Sequence, residues 1–167
     1  AIFLRDLGAS KTSLPYWIGG AFAAQSFASM FAQPFWAKLG DATGRKRMII
    51  RAGLCLSAVY FGMSICQNPL QLAILRFLNG ALTGFIPGSY ALIATNTPQE
   101  YAPRSMATAQ SMVNAGLIAG PALGGALAGM TGYRVSMQIA GAALLLSTLL
   151  VFWFVQEPNK PDNPDDS

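Results

Sequence analysis

Residues able to do chemistry are few in this sequence, and none of them forms a familiar catalytic pair. Arg76 stands inside an otherwise uncharged stretch between Leu70 and Ala94. A charge at that depth in an apolar segment is costly and by default points to function. The plain alternative is a guanidinium that reaches back to an interface near Pro69, about 10 Å away along a helix. Gln25, Asn79, Gln110, Asn114 and Gln138 place amides in further apolar stretches. Such groups either line a polar cavity or bond one helix to another, and the second role is the commoner for each taken singly. Phe22, Phe27 and Phe85 can meet an apolar ligand or lipid equally well. Asp6, Asp41, Glu100 and Glu157 lie at the margins of the apolar stretches or in loops, and the sequence has no His. General acid–base catalysis and metal ligation need such groups together, so an enzyme is not expected, nor a metal site.

Composition says what surrounds these residues. The chain is 53% hydrophobic and only 11% charged, with a mean hydropathy of +0.40. A water-soluble domain carries about 25% charged residues. A deficit this large implies that the solvent is a bilayer. The 11 Lys and Arg against 7 Asp and Glu leave a net charge of +4. These charges cluster between apolar runs, which fits membrane topology and not a nucleic-acid surface. Cys55 and Cys66 are 11 residues apart, or about 16 Å on a helix, so no disulfide is expected. No cleavable signal peptide is visible and the first residue is Ala, so the chain reads as a fragment.

Five spans of helical length follow, at about 12–37, 48–66, 70–94, 106–130 and 135–155, since about 20 apolar residues cross a hydrocarbon core. Tyr16, Trp17, Phe35 and Trp36 suit the two interfaces of the first. Residues 38–47 read as a tight polar loop, Arg51 as snorkelling toward it, and Pro87-Gly88 as a bend. In the fourth span Gly116, Gly120, Gly124 and Ala128 recur every four residues. On a helix they make one nearly bare stripe, the pattern by which helices approach in lipid. Pro121 should bend the helix at the centre of that stripe. Lys38, Arg45, Lys46, Arg47 and Arg51 put the first long loop on the cytoplasmic side. The tail 157–167, rich in Pro and Asp, is expected to be disordered.

Three motifs fall in these places. The stretch Lys38-Leu39-Gly40-Asp41-Ala42-Thr43-Gly44-Arg45-Lys46-Arg47 resembles the signature between helices 2 and 3 of the major facilitator superfamily, G-x-L-A-D-R-x-G-R-R/K-R. Leu39, Asp41, Gly44, Arg45, Lys46 and Arg47 match, whereas Ala37 replaces a Gly and Ala42 an Arg. The resemblance implies a latch on the cytoplasmic side, with Asp41 and the basic residues holding two halves together. Arg76, Gly80 and Gly84 are similar to the family's helix 4 signature, which implies a role for Arg76 in coupling proton movement to transport. Gly116, Gly120, Pro121, Gly124 and Gly125 match the helix 5 signature G-x-x-x-G-P-x-x-G-G, associated in that family with antiporters and above all with proton-driven drug exporters.

From this resemblance the expectation is an all-α polytopic transmembrane bundle, five spans of a major-facilitator six-helix half. Residues 1–156 would be part of the N-terminal half and 157–167 the start of the central loop. The implied function is proton-coupled efflux of small, often hydrophobic drug-like compounds by alternating access, driven by a proton gradient with no cofactor. A proton-coupled uptake symporter, or a non-transporting membrane assembly or channel subunit, is the alternative. The implied partners are a small-molecule substrate, the bilayer, a preceding helix 1 and a C-terminal half, with no nucleic acid. The implied location is a bacterial inner membrane, with residues 38–51 and the tail cytoplasmic. Gln25, Asn79, Gln110 and Asn114 are the candidate cavity residues, and any protonatable carboxylate would lie outside these five spans.

Overall fold

The computed structural model describes residues 12–155, the side chains of Asp41 and Phe85 excepted. The expected features at 1–11 and 157–167 lie outside the described residues. Within them the chain is helical, without a strand. Helix α1 spans Leu14–Thr43, α2 Arg45–Ser64, α3 Pro69–Ala81, α4 Phe85–Asn96, α5 Ala102–Thr131 and α6 Tyr133–Phe154. The stretches Pro69–Asn96, Ala102–Thr131 and Tyr133–Phe154 are long and apolar enough to cross a membrane; α1 and α2 are not among them. Four basic residues in α2, and the Ser and Gln content of α1, account for the difference.

Two expectations about loops need correction. Residues 38–47 are not a loop: α1 runs to Thr43 and α2 starts at Arg45, leaving Gly44 alone between them. Polarity shows where a helix leaves apolar surroundings, not where it ends. Gly44 makes the reversal because it holds φ +105°, where a side chain would strain the backbone. The third span does not bend at Pro87-Gly88. It breaks at residues 82–84, one turn earlier. A proline ring collides with the carbonyl four residues before it and offers that carbonyl no N–H. For Pro87 that carbonyl belongs to Thr83, so the disruption falls upstream. Pro87 itself sits in the first turn of α4, where a missing N–H costs nothing.

Two helix pairs carry the bundle. α1 lies along α3, and α2 lies along α6. Both contacts are made close by glycine. A Cβ added at Gly80 of α3 would overlap the Gln25 carbonyl oxygen of α1, and one at Gly53 of α2 would overlap the Thr148 hydroxyl of α6. Ser57 Oγ donates to Gly141 O at 2.8 Å across the second pair, and Ser57 and Thr148 are each only 1% exposed. Small residues and buried hydroxyls replace bulky apolar packing here, as expected where lipid offers no hydrophobic drive between helices. Val59, Met63, Cys66 and Leu72 form the one larger apolar cluster, with Trp17, Tyr133 and Met137 packed around it. It joins the start of α1 and of α6 to the end of α2. Arg134 Nη2 closes that end by donating to Cys66 O at 3.1 Å.

Helix α5 stands apart. It packs against α6 and α4 and buries none of its residues. It runs unbroken through Pro121.

Candidate functional site

The polar and motif residues fall into four groups. The first is at the crossing of α1 and α3. Arg76 Nη1 donates to Gln25 Oε1 at 3.3 Å, and its guanidinium carbon is 5.5 Å from the centre of the Phe22 ring. Asn79 is buried beside Gly80, whose lack of a side chain lets α3 reach the Gln25 backbone. Gln25, Arg76, Asn79 and Gly80, separate in sequence, thus share one crossing. Arg76 is turned toward α1, not merely back along its own helix to Pro69. A hydrogen bond to a charged group contributes about 1.5–3 kcal/mol. Arg76→Ala should therefore lower the stability of the α1–α3 pair by about that amount. Thermal unfolding of the detergent-solubilised full-length protein checks it, and a wild-type transition would refute the pairing.

The second group joins α4 to α5. Tyr90 Oη donates to Gln110 Oε1 at 2.9 Å, and Gln110 Nε2 donates to Asn114 Oδ1 at 3.1 Å. Gln110 and Asn114 are exposed, so this chain of three polar groups lines an open face of the bundle. Tyr90 was not apparent from sequence, because a tyrosine in an apolar run reads as an interface anchor. Gln138 lies elsewhere, its amide 3.4 Å from Ser64 Oγ, an interhelical link between α6 and α2. Phe27 meets Phe31 edge-on at 4.9 Å, on the exposed side of α1.

The third group is the α1–α2 corner. Arg45 Nη1 donates to Ala91 O of α4 at 2.7 Å. Lys46 Nζ lies 5.5 Å from the centre of the Phe152 ring on α6, and Arg47 is exposed. The three cations fan out to α4, to α6 and away from the bundle. Leu39 is half-buried; the contacts of the Asp41 carboxylate lie outside the described residues. Arg51 does not snorkel to the corner as expected. Its guanidinium stacks on Trp36, 3.4 Å from the ring centre, a cation–π arrangement. Trp36 Nε1 in turn donates to Ala81 O at 2.7 Å. Beside these residues opens a mostly apolar cleft of about 610 Å³ between α1, α2 and α4, lined by Met30, Trp36, Arg45, Met48, Gly84 and Pro87 among others. Nothing in the spacing of these residues announces the cleft, because it exists only where three helices diverge.

The fourth group is the stripe on α5. A Cβ added at Gly116, Gly120, Gly124 or Gly125 would meet nothing within 4 Å. Leu117 and Ile118 beside it are 68% and 80% exposed. The bare surface and its large apolar neighbours thus lie uncovered on a helix long and apolar enough to span a membrane. Among the described residues no group of His, Cys, Asp and Glu is placed to hold a metal ion.

Taken together, the arrangement offers an open polar wall, a half-buried cation paired with an amide, a basic corner and an uncovered packing face. Among known proteins, the chain is 34% identical over 160 residues to the multi-drug resistance efflux pump PmrA of Streptococcus pneumoniae, covering 96% of this chain and 40% of that protein. It is 36% identical over 167 residues to the multidrug resistance protein MdtG of Proteus mirabilis, covering 99% of this chain and 42% of that protein. A PmrA homologue of Lactococcus lactis is similar at 34% over 160 residues, covering 96% of this chain and 40% of that protein. The chain spans about two fifths of the length of these relatives. The family model described as Major Facilitator Superfamily matches residues 1–167, so the helix bundle with its glycine-bare face belongs to a multi-pass membrane protein of the Major Facilitator Superfamily.

Proposed function

We propose that this chain forms most of the N-terminal half of a proton-coupled efflux carrier for small hydrophobic compounds. The observation that carries the reading is the uncovered stripe on α5. Gly116, Gly120, Gly124 and Gly125 present bare backbone to open space, which suits a second half that docks there and separates again. Carriers of this kind alternate access by rocking such halves about a central site. Tyr90 of α4 with Gln110 and Asn114 of α5 makes a polar chain on an open face that can supply hydrogen bonds to a small solute. Arg76 is the charged group of the α1–α3 crossing and stands ready to respond to a carboxylate elsewhere in the carrier that gains and loses a proton. The outward direction of transport is supported by the printed names of the relatives, both efflux pumps and multidrug resistance proteins. The proton gradient is the energy source in this proposal, with no cofactor. In this proposal residues 38–51 and the tail face the cytoplasm from a bacterial inner membrane, and the positive charge of that corner supports the orientation.

The test uses the full-length protein in sealed vesicles. A hydrophobic fluorescent cation should move outward from the cytoplasmic side against its own gradient while protons move inward. A protonophore should abolish the uphill movement. Flux in the same direction as the protons would convert the reading to a symporter, and flux indifferent to the proton gradient would overturn it.

A further inference from the structure

The break between α3 and α4 is held in place by residues from two other helices. In an uninterrupted helix each carbonyl accepts the N–H four residues on. Ala81 O would then pair with the amide of Phe85. At the break Ala81 O instead accepts the indole N–H of Trp36 at 2.7 Å. The guanidinium of Arg51 lies flat on that indole, 3.4 Å from the ring centre, and its Nε is sealed from solvent with no partner among the described residues. Gly84 takes up the turn at φ +142°, a conformation that side chains avoid. Past the break, Arg45 Nη1 holds Ala91 O of α4 at 2.7 Å. The cleft of about 610 Å³ borders Trp36, Gly84 and Arg45, which leaves α4 room on that side.

We propose that residues 82–84 are a hinge in this span and that Trp36 is its clasp. The indole occupies the carbonyl that helix continuity would need, so the two segments join, as one helix kinked at Pro87, only when Trp36 lets go. Arg51 keeps the indole flat against the gap. Arg45, from the basic corner, ties the far side of the hinge to α2, so a movement of that corner is passed to α4. The competition is a direct exchange of one hydrogen-bond donor for another at the same oxygen. Thr83 O meets no amide at Pro87 in either state, so the two states differ little in backbone satisfaction, as a two-position element requires.

Spin labels at exposed Ile74 and Ala94 in the full-length protein test this by distance measurement between them. An uninterrupted helix would place these positions about 30 Å apart, from 20 residues at 1.5 Å each. Trp36→Phe keeps a ring for Arg51 and removes the donor. It is expected to shift the distribution toward about 30 Å relative to the wild type. Gly84→Ala, which disfavours the positive φ and leaves the indole in the sequence, should shift the distribution the same way by drawing Ala81 O away from the clasp. The same distance distribution in all three proteins would overturn the hinge. A shift with Gly84→Ala but none with Trp36→Phe would overturn the role of Trp36. This readout is independent of any transport assay.

Discussion

Leucine at both Gly120 and Gly124 is expected to abolish uphill efflux by the intact carrier while leaving the bundle of α1–α4 and α6 folded. The two halves of this expectation have different grounds. Within the bundle nothing lies within 4 Å of an added Cβ at either site, so the larger side chains displace no neighbour there. Against a docked second half, each leucine would have to be accommodated in a close-packed seam. Overpacking of that kind costs about 1–3 kcal/mol per site, and each 1.4 kcal/mol is a factor of ten in population. At the low end the closed arrangement is depleted roughly thirtyfold, and further toward the upper end. Efflux in vesicles, with thermal unfolding measured in parallel, checks both halves. Wild-type efflux from the double variant would remove the proposed role of the stripe.

The second large effect concerns a different glycine. Gly80→Ala is expected to destabilise the protein by about 3 kcal/mol, whereas Gly20→Ala in α1 should be neutral or stabilise by up to about 1 kcal/mol. The substitution is the same, and both sites are in apolar helices. At Gly80 the new methyl would overlap the carbonyl oxygen of Gln25 and lie 2.9 Å from its carbonyl carbon. Backbone cannot turn aside as a flexible side chain can, so α1 and α3 must separate. That separation also stretches the Arg76–Gln25 hydrogen bond, already 3.3 Å. At Gly20 there is open space, and alanine simply restores helix propensity. Unfolding temperatures of the two variants in detergent are the measurement. Equal temperatures would mean that the α1–α3 approach is looser than the glycine contact indicates.

Much of this was legible in the sequence, for reasons that can be assigned. The all-helical bundle follows from charge depletion and from the length of the uncharged runs, since the backbone in lipid has few other ways to satisfy itself. Helices α5 and α6 lie within four residues of the expected 106–130 and 135–155, because their limits are set by Pro103, Gly132 and the end of the apolar run. Arg76 stood out because it is a lone charge. Its partner Gln25 did not, being 51 residues away on another helix. The stripe on α5 is visible by its period, yet the glycines in close contact within the bundle lie elsewhere, Gly53, Gly80 and Gly141 among them. Gly53 and Gly141 belong to no repeated pattern and were not singled out. A period shows that a face is bare, not what meets it.

The sequence by itself determined the class of molecule and the identity of its motifs. Hydropathy, charge clusters and the spacing of Gly, Pro and Arg are local properties, readable along one helix at a time. Only the tertiary structure decided which bare faces are filled. It showed that the span 70–94 is two helices, that Trp36 of α1 bonds Ala81 O at the gap with Arg51 of α2 stacked on it, and that the glycine stripe of α5 is uncovered within this bundle. The physical reason is that each of these depends on how helices far apart in sequence cross one another. Crossing angle and register arise from many small contacts summed over the whole bundle. No single residue carries that sum, so no stretch of sequence displays it.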